Sequence, residues 1–121
     1  MLIWPTYPLL GLDDRNQFDL IAALPGGVRG LKALVAELHE HDVKVLWPFL
    51  GWDNFTRPDH LNRDDATRMA ELIRDTNADG ANADSAETDD HQVDHMYHMG
   101  RSFYDATVAA GRPAAWQAES G

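Results

Sequence analysis

Between Leu31 and His41 the apolar residues Leu31, Leu34, Val35 and Leu38 recur at three- and four-residue steps, with Lys32, Glu37, His39 and Glu40 on the other side. That spacing predicts a helix with one buried stripe. A second helix is predicted from about residue 63 to 76, where Ala66, Met69, Ala70 and Ile73 share a face and Asp59 and Asn62 stand ahead as candidate N-caps. A third runs from about 93 to 110 through Met96, Tyr97, Phe103, Tyr104 and Val108; Gly111 and Arg112-Pro113 supply its stop, and Gly100 weakens its middle. Between and outside these helices lie short apolar or small-residue runs at Leu2 to Leu10, Val43 to Phe49, Asp79 to Ser85 and Ala114 to Glu119, which read as strands. The run Asp79-Gly80-Ala81-Asn82-Ala83-Asp84 has poor intrinsic strand propensity and is assigned by its position in the alternation.

Strands alternating with helices predict an α/β fold, with a parallel sheet and right-handed crossovers. About four parallel strands and three crossover helices fit in 121 residues, one domain's worth of chain. The segment Leu24-Pro25-Gly26-Gly27-Val28-Arg29-Gly30 lacks the lysine of a phosphate-binding loop and reads as a turn into the first long helix.

Charge narrows the function. Twenty acidic side chains against ten basic ones give a formal charge of -10, which repels polyanions, so neither nucleic acid nor an anionic membrane surface is an expected partner. The longest apolar run, Val43 to Trp52, is interrupted by Lys44 and Pro48 and is shorter than the roughly 20 residues that span a bilayer. The first residues lack the basic start of a signal peptide, so a soluble protein is expected. No cysteine is present, which removes thiolate metal sites and cysteine nucleophiles.

Fifteen of the acids are Asp, a residue of connections and caps, and they follow the predicted strands. Asp13 and Asp14 come after the first, Asp53 after the second, Asp84 and Glu87 after the third, and Glu119 ends the fourth. Carboxyl-terminal ends of parallel strands lie on one edge, so these acids would converge there. Trp47, Trp52, Trp116 and Tyr7 are expected near the same rim, as faces for a sugar ring. Any single Asp also serves as a helix cap, and Asp53 or Asp89 has that reading beside the functional one. Asp84 is the first choice for a reacting group, because Asn82 and Ala83 before it leave room for a ligand near the backbone.

The segments YPLLGLDDRNQFD, LPGGVRGLKALVAELHEHDVKVLWPFLGWD, ADGANADS and AWQAESG resemble consecutive strand-end segments of a (β/α)8 glycoside hydrolase of the α-galactosidase-like clan. The resemblance implies a partial TIM barrel acting on, or binding, an α-linked sugar. It implies Asp84 as the nucleophile of a retaining glycosidase, and Asp13 and Asp14 as ligands of sugar hydroxyls. Trp47, Trp52, Asp53 and Glu119 would shape the pocket, and no cofactor or metal is implied. The clan's lysine on the strand before the nucleophile has no equivalent in VLWPFLGWD. A closed barrel needs eight βα units, so about half is expected here, completed by a homodimer partner or a remainder, with the general acid on a later strand.

Two alternatives come from other classes. A non-catalytic carbohydrate-binding or assembly half-barrel would use the same carboxylates for hydrogen bonds only. A metal-dependent hydrolase would use His91, His95 and His98, which fall at i, i+4 and i+7, although the outer two stand about 10 Å apart by helical rise. No serine triad with a nucleophile elbow is present. His39 and His41 suit the negative end of the first long helix, and Arg15 and Arg57 are expected to pair with neighbouring acids.

Overall fold

A computed structural model describes residues 1–4, 14–50, 58–86 and 92–120, and for 84–86, 92–96 and 118–120 the backbone alone. One sheet is built from β1 (Leu46–Leu50), β2 (Gly80–Ala86) and β3 (Ala115–Ser120), in the order β1-β2-β3 and parallel throughout. Four helices accompany it: α1 (Gln17–Ala22), α2 (Gly27–Glu40), α3 (Asp65–Thr76) and α4 (Gln92–Ala109). Leu2 makes a parallel bridge to Leu46, where the Leu46 N–H donates to Met1 O at 2.8 Å. The leading segment therefore runs beside β1 in the same direction, and spatial order follows chain order. Residues 5–10, the rest of the expected first strand, lie outside the described residues.

Alternation along the strands sorts the core. The ladder aligns Trp47, Ala81 and Trp116 in one row and Pro48, Asn82 and Gln117 in the next, and neighbouring rows face opposite sides. Val45, Trp47, Phe49, Ala81 and Ala83 pack with Leu31 and Val35 of α2, Met69, Leu72 and Ile73 of α3, and Phe103 of α4. All three long helices thus cover one face. Phe103 meets Phe49 edge-on at 4.8 Å between ring centroids and Trp116 at 4.4 Å.

Two glycines record how closely the layers approach. A Cβ on Gly80 would sit 2.1 Å from the Ala115 carbonyl oxygen, and one on Gly100 would sit 3.1 Å from Trp116 Cδ1. Poor strand propensity in β2 and a weakened middle in α4 are therefore conditions of close packing, against β3 and against Trp116 respectively.

The helix ends refine the sequence reading. α2 begins at Gly27, four residues before its apolar stripe, and α3 is capped by Asp64, whose side chain accepts from Thr67 N at 2.7 Å. Asp59 and Asn62 do not cap it. α1 carries no periodic apolar signal: only six residues long, it is held by a reciprocal capping box between Asn16 and Asp19.

At the amino edge Asp79 joins several connections. Its Oδ2 accepts from Val45 N at 2.8 Å and lies 2.7 Å from His39 Nε2, while Oδ1 lies 3.7 Å from Arg112 Nη2 and 4.0 Å from Lys44 Nζ. Arg112 donates from Nε to Ala78 O and from Nη2 to Asn77 O, each at 2.8 Å, closing the carbonyl end of α3. Among the described residues no helix is long and apolar enough to cross a membrane.

Candidate functional site

At the carboxyl edge β1 ends at Leu50, which is paired in register with Asp84. After Ala83↔Ala118 the next β2–β3 pair is Ala86↔Ser120, three steps along β2 against two along β3. A bulge therefore falls on β2 within Asp84-Ser85, opposite Glu119, a feature common beside active sites because it re-aims the chain locally. Glu119 follows Ala118 on the neighbouring strand, so the sheet brings the backbone positions of Asp84 and Glu119 together. Their side chains lie outside the described residues, as do Asp13, Trp52, Asp53, Glu87 and Tyr7 altogether. Asp14 is exposed on the approach to α1.

Trp47 lies elsewhere. Its ring has no exposed surface and its Nε1–H donates to Thr76 Oγ1 at 2.9 Å, between the sheet and α3. This side chain belongs to the core and has no face to offer a ligand. Trp116 is half-buried against Gly100, Phe49 and Phe103, on the helix side of β3. Strand alternation permits either face to be the buried one, and the three long helices decide it.

Several polar residues not singled out as site residues define the same edge. Gln17 holds the end of β1, donating from Nε2 to Leu50 O at 3.0 Å and accepting from Leu50 N at 2.8 Å. Arg68 lies over the Phe18 ring at 4.6 Å, donates to Asp19 Oδ1 at 3.2 Å and stands 3.4 Å from Asp59 Oδ1. Asp59 accepts from Arg63 Nη2 at 2.7 Å, Arg63 Nε at 3.0 Å and the Arg63 and Leu61 amides. Its side chain is only 4% exposed. The Arg63 side chain and amide, with Arg68 nearby, outweigh burial and hold this carboxyl far below its ordinary range. Arg63 also pairs with Glu71 on α3.

Asn16, Asp19, Pro58, Asp59 and His60 line a cleft of about 300 Å³ beside this network. Its acids are engaged by arginines or by the α1 capping box, so they shape the rim and anchor α1 to α3. Two sequence signals foreshadow them: the Asn16-x-x-Asp19 box and the i, i+4 spacing of Asp59 and Arg63.

Of the three spaced histidines, His98 is exposed on α4 with its ring 5.7 Å from that of Tyr97. His91 and the His95 side chain lie outside the described residues. No group of three or more metal-ligating side chains occurs among the described residues. Comparison of the chain with protein-family models, curated proteins and solved structures finds no match in any of the three.

Proposed function

We propose that the chain is a (β/α)8-type portion of a glycoside-hydrolase-like protein that binds or hydrolyses an α-linked sugar at the carboxyl edge of its sheet. The observation that carries this reading is the order of the sheet. The leading segment, β1, β2 and β3 lie side by side in chain order, all parallel, with α2, α3 and α4 on one face. Doubly wound sheets reverse strand order and place helices on both faces, whereas a barrel wall does neither. The bulge within Asp84-Ser85 supports the same edge as the working one.

In this reading Asp84 attacks the anomeric carbon, Asp13 and Asp14 hold hydroxyls, and Trp52, Asp53 and Glu119 shape the pocket. Retention requires a second carboxyl group about 5 to 5.5 Å from the first, acting as acid and then base. The resemblance assigns it to a later barrel strand, supplied by whatever completes the wall, a second copy or further strands. Binding needs no such group.

The test is covalent labelling with mechanism-based epoxide cyclitols of galacto and gluco configuration, followed by peptide mapping. Labelling at Asp84 in the native chain and none in Asp84→Asn is the expected result. A sugar bound without any label assigns the non-catalytic role. Absence of both labelling and sugar binding overturns the reading.

A further inference from the structure

We propose that Gln117 is a ligand-positioning residue, its carboxamide hydrogen-bonding hydroxyl groups of a polyhydroxylated ligand on the face of β3 opposite α4. The inference rests on the sugar-site reading above and adds to it a residue that the sequence did not single out.

Trp116 packs toward α4, against Phe103 and beside Gly100, so alternation sends Gln117 to the opposite face. There it shares a row with Pro48 and Asn82. Pro48 and Asn82 are buried, whereas Gln117 is exposed; the row is closed over β1 and β2 and open over β3. Along their strands Glu119 lies two residues beyond Gln117, and Asp84 two beyond Asn82, a rise of about 6.6 Å. A sugar ring at the carboxyl edge spans that distance.

The acids expected at the rim are acceptors only when ionised, while each sugar hydroxyl carries lone pairs as well as a proton. A site built of carboxylates alone leaves those lone pairs without donors. A carboxamide supplies two N–H donors and an acceptor without adding charge. Gln117 is such a group, exposed in mid-strand two register positions before the acids.

The experiment follows the concentration dependence of epoxide labelling in native protein and in Gln117→Ala. The expected result is a half-saturating concentration raised about tenfold, as for loss of one or two ligand hydrogen bonds. The maximal labelling rate stays within about twofold and the melting temperature is unchanged. An unaltered half-saturating concentration in Gln117→Ala, with native labelling intact, overturns the Gln117 proposal and leaves the sugar reading standing. If native protein is not labelled, the side-chain amide signal of Gln117 is followed by NMR during titration with methyl α-galactoside and methyl α-glucoside. A saturable shift keeps Gln117 as a binding residue and removes hydrolysis alone, and absence of a shift ends both.

Discussion

The Gln17 carboxamide and the Leu50 main chain satisfy each other in both directions, at 3.0 Å and 2.8 Å. A side chain from α1 thereby does at the end of β1 what a neighbouring strand would do, giving both the Leu50 N–H and the Leu50 C=O a partner. The leading segment pairs with β1 at Leu46, and Gln17 closes the seam four residues later.

Replacing this amide reads its contribution directly. Gln17→Leu strands one buried donor and one buried acceptor and is expected to lower unfolding free energy by about 2 to 4 kcal/mol in urea titrations. Gln17→Glu keeps the acceptor for Leu50 N–H but turns a second acceptor toward Leu50 C=O. The protonated form is then favoured in the folded state, and the folded pKa of the introduced carboxyl rises above the unfolded value of about 4.3. Its stabilising contribution is complete below that unfolded value and disappears as pH rises through the folded one. Urea midpoints for this variant relative to native should therefore fall between mildly acidic and neutral pH.

Gly80→Ala and Gly111→Ala separate collision from backbone strain. The first drives a methyl group to within 2.1 Å of a backbone oxygen on β3, while the second meets nothing within 4 Å but must hold φ +82°. Gly111→Ala should cost about 1 to 2 kcal/mol. Gly80→Ala should cost more than about 3 kcal/mol, because neither backbone can yield without breaking the ladder. Thermal denaturation with the order reversed would refute the close approach of β2 and β3.

Trp47 offers a test of core against pocket. Trp47→Phe loses buried volume and the hydrogen bond to Thr76, an expected cost of about 1 to 3 kcal/mol. At temperatures well below the melting midpoint, epoxide labelling of Asp84 should proceed at the native rate. A labelling rate that collapses in a folded variant would return Trp47 to the ligand site.

Acid titration reports on Asp79. Burial raises its pKa, but the Val45 amide, His39 and Lys44 outweigh that and lower it below the ordinary value of 3.8. A depressed folded pKa contributes stability that is present above the unfolded value and lost as pH falls through the folded one. Asp79→Asn should therefore be less stable than native protein at pH 6, and the two curves should converge toward pH 2. Parallel curves across that range would mean that the amino-edge cluster stores no such energy.

The long helices are legible in the sequence because Leu31, Val35, Met69, Ile73 and Phe103 keep the helical period and meet in one core. α1 escapes a periodicity search: six residues give less than two turns, and its stability comes from the Asn16–Asp19 box and from Gln17 reaching Leu50. β2 is legible by position alone, since what fixes it is the absence of a side chain at Gly80 beside Ala115. Trp47 shows the limit most clearly. A strand covered on both sides carries apolar residues in every row, so its sequence does not say which row faces helices and which faces a ligand. The convergence of Asp84 and Glu119 on neighbouring strands follows from parallel topology. The Asp59–Arg63 pair is foreshadowed by its i, i+4 spacing, whereas the reach of Arg68 to Asp19 and Asp59 depends on side-chain geometry that no spacing rule supplies.

Arg112 reaches back some 35 residues to the carbonyls of Asn77 and Ala78, and this fastens the last strand to the unit before it. Loosening of the β3 region should therefore be transmitted to the end of α3, so that amide protons in both exchange with deuterium as a single cooperative block. Arg112→Ala should split that block in two, with β3 opening first while the remainder of the sheet keeps its protection.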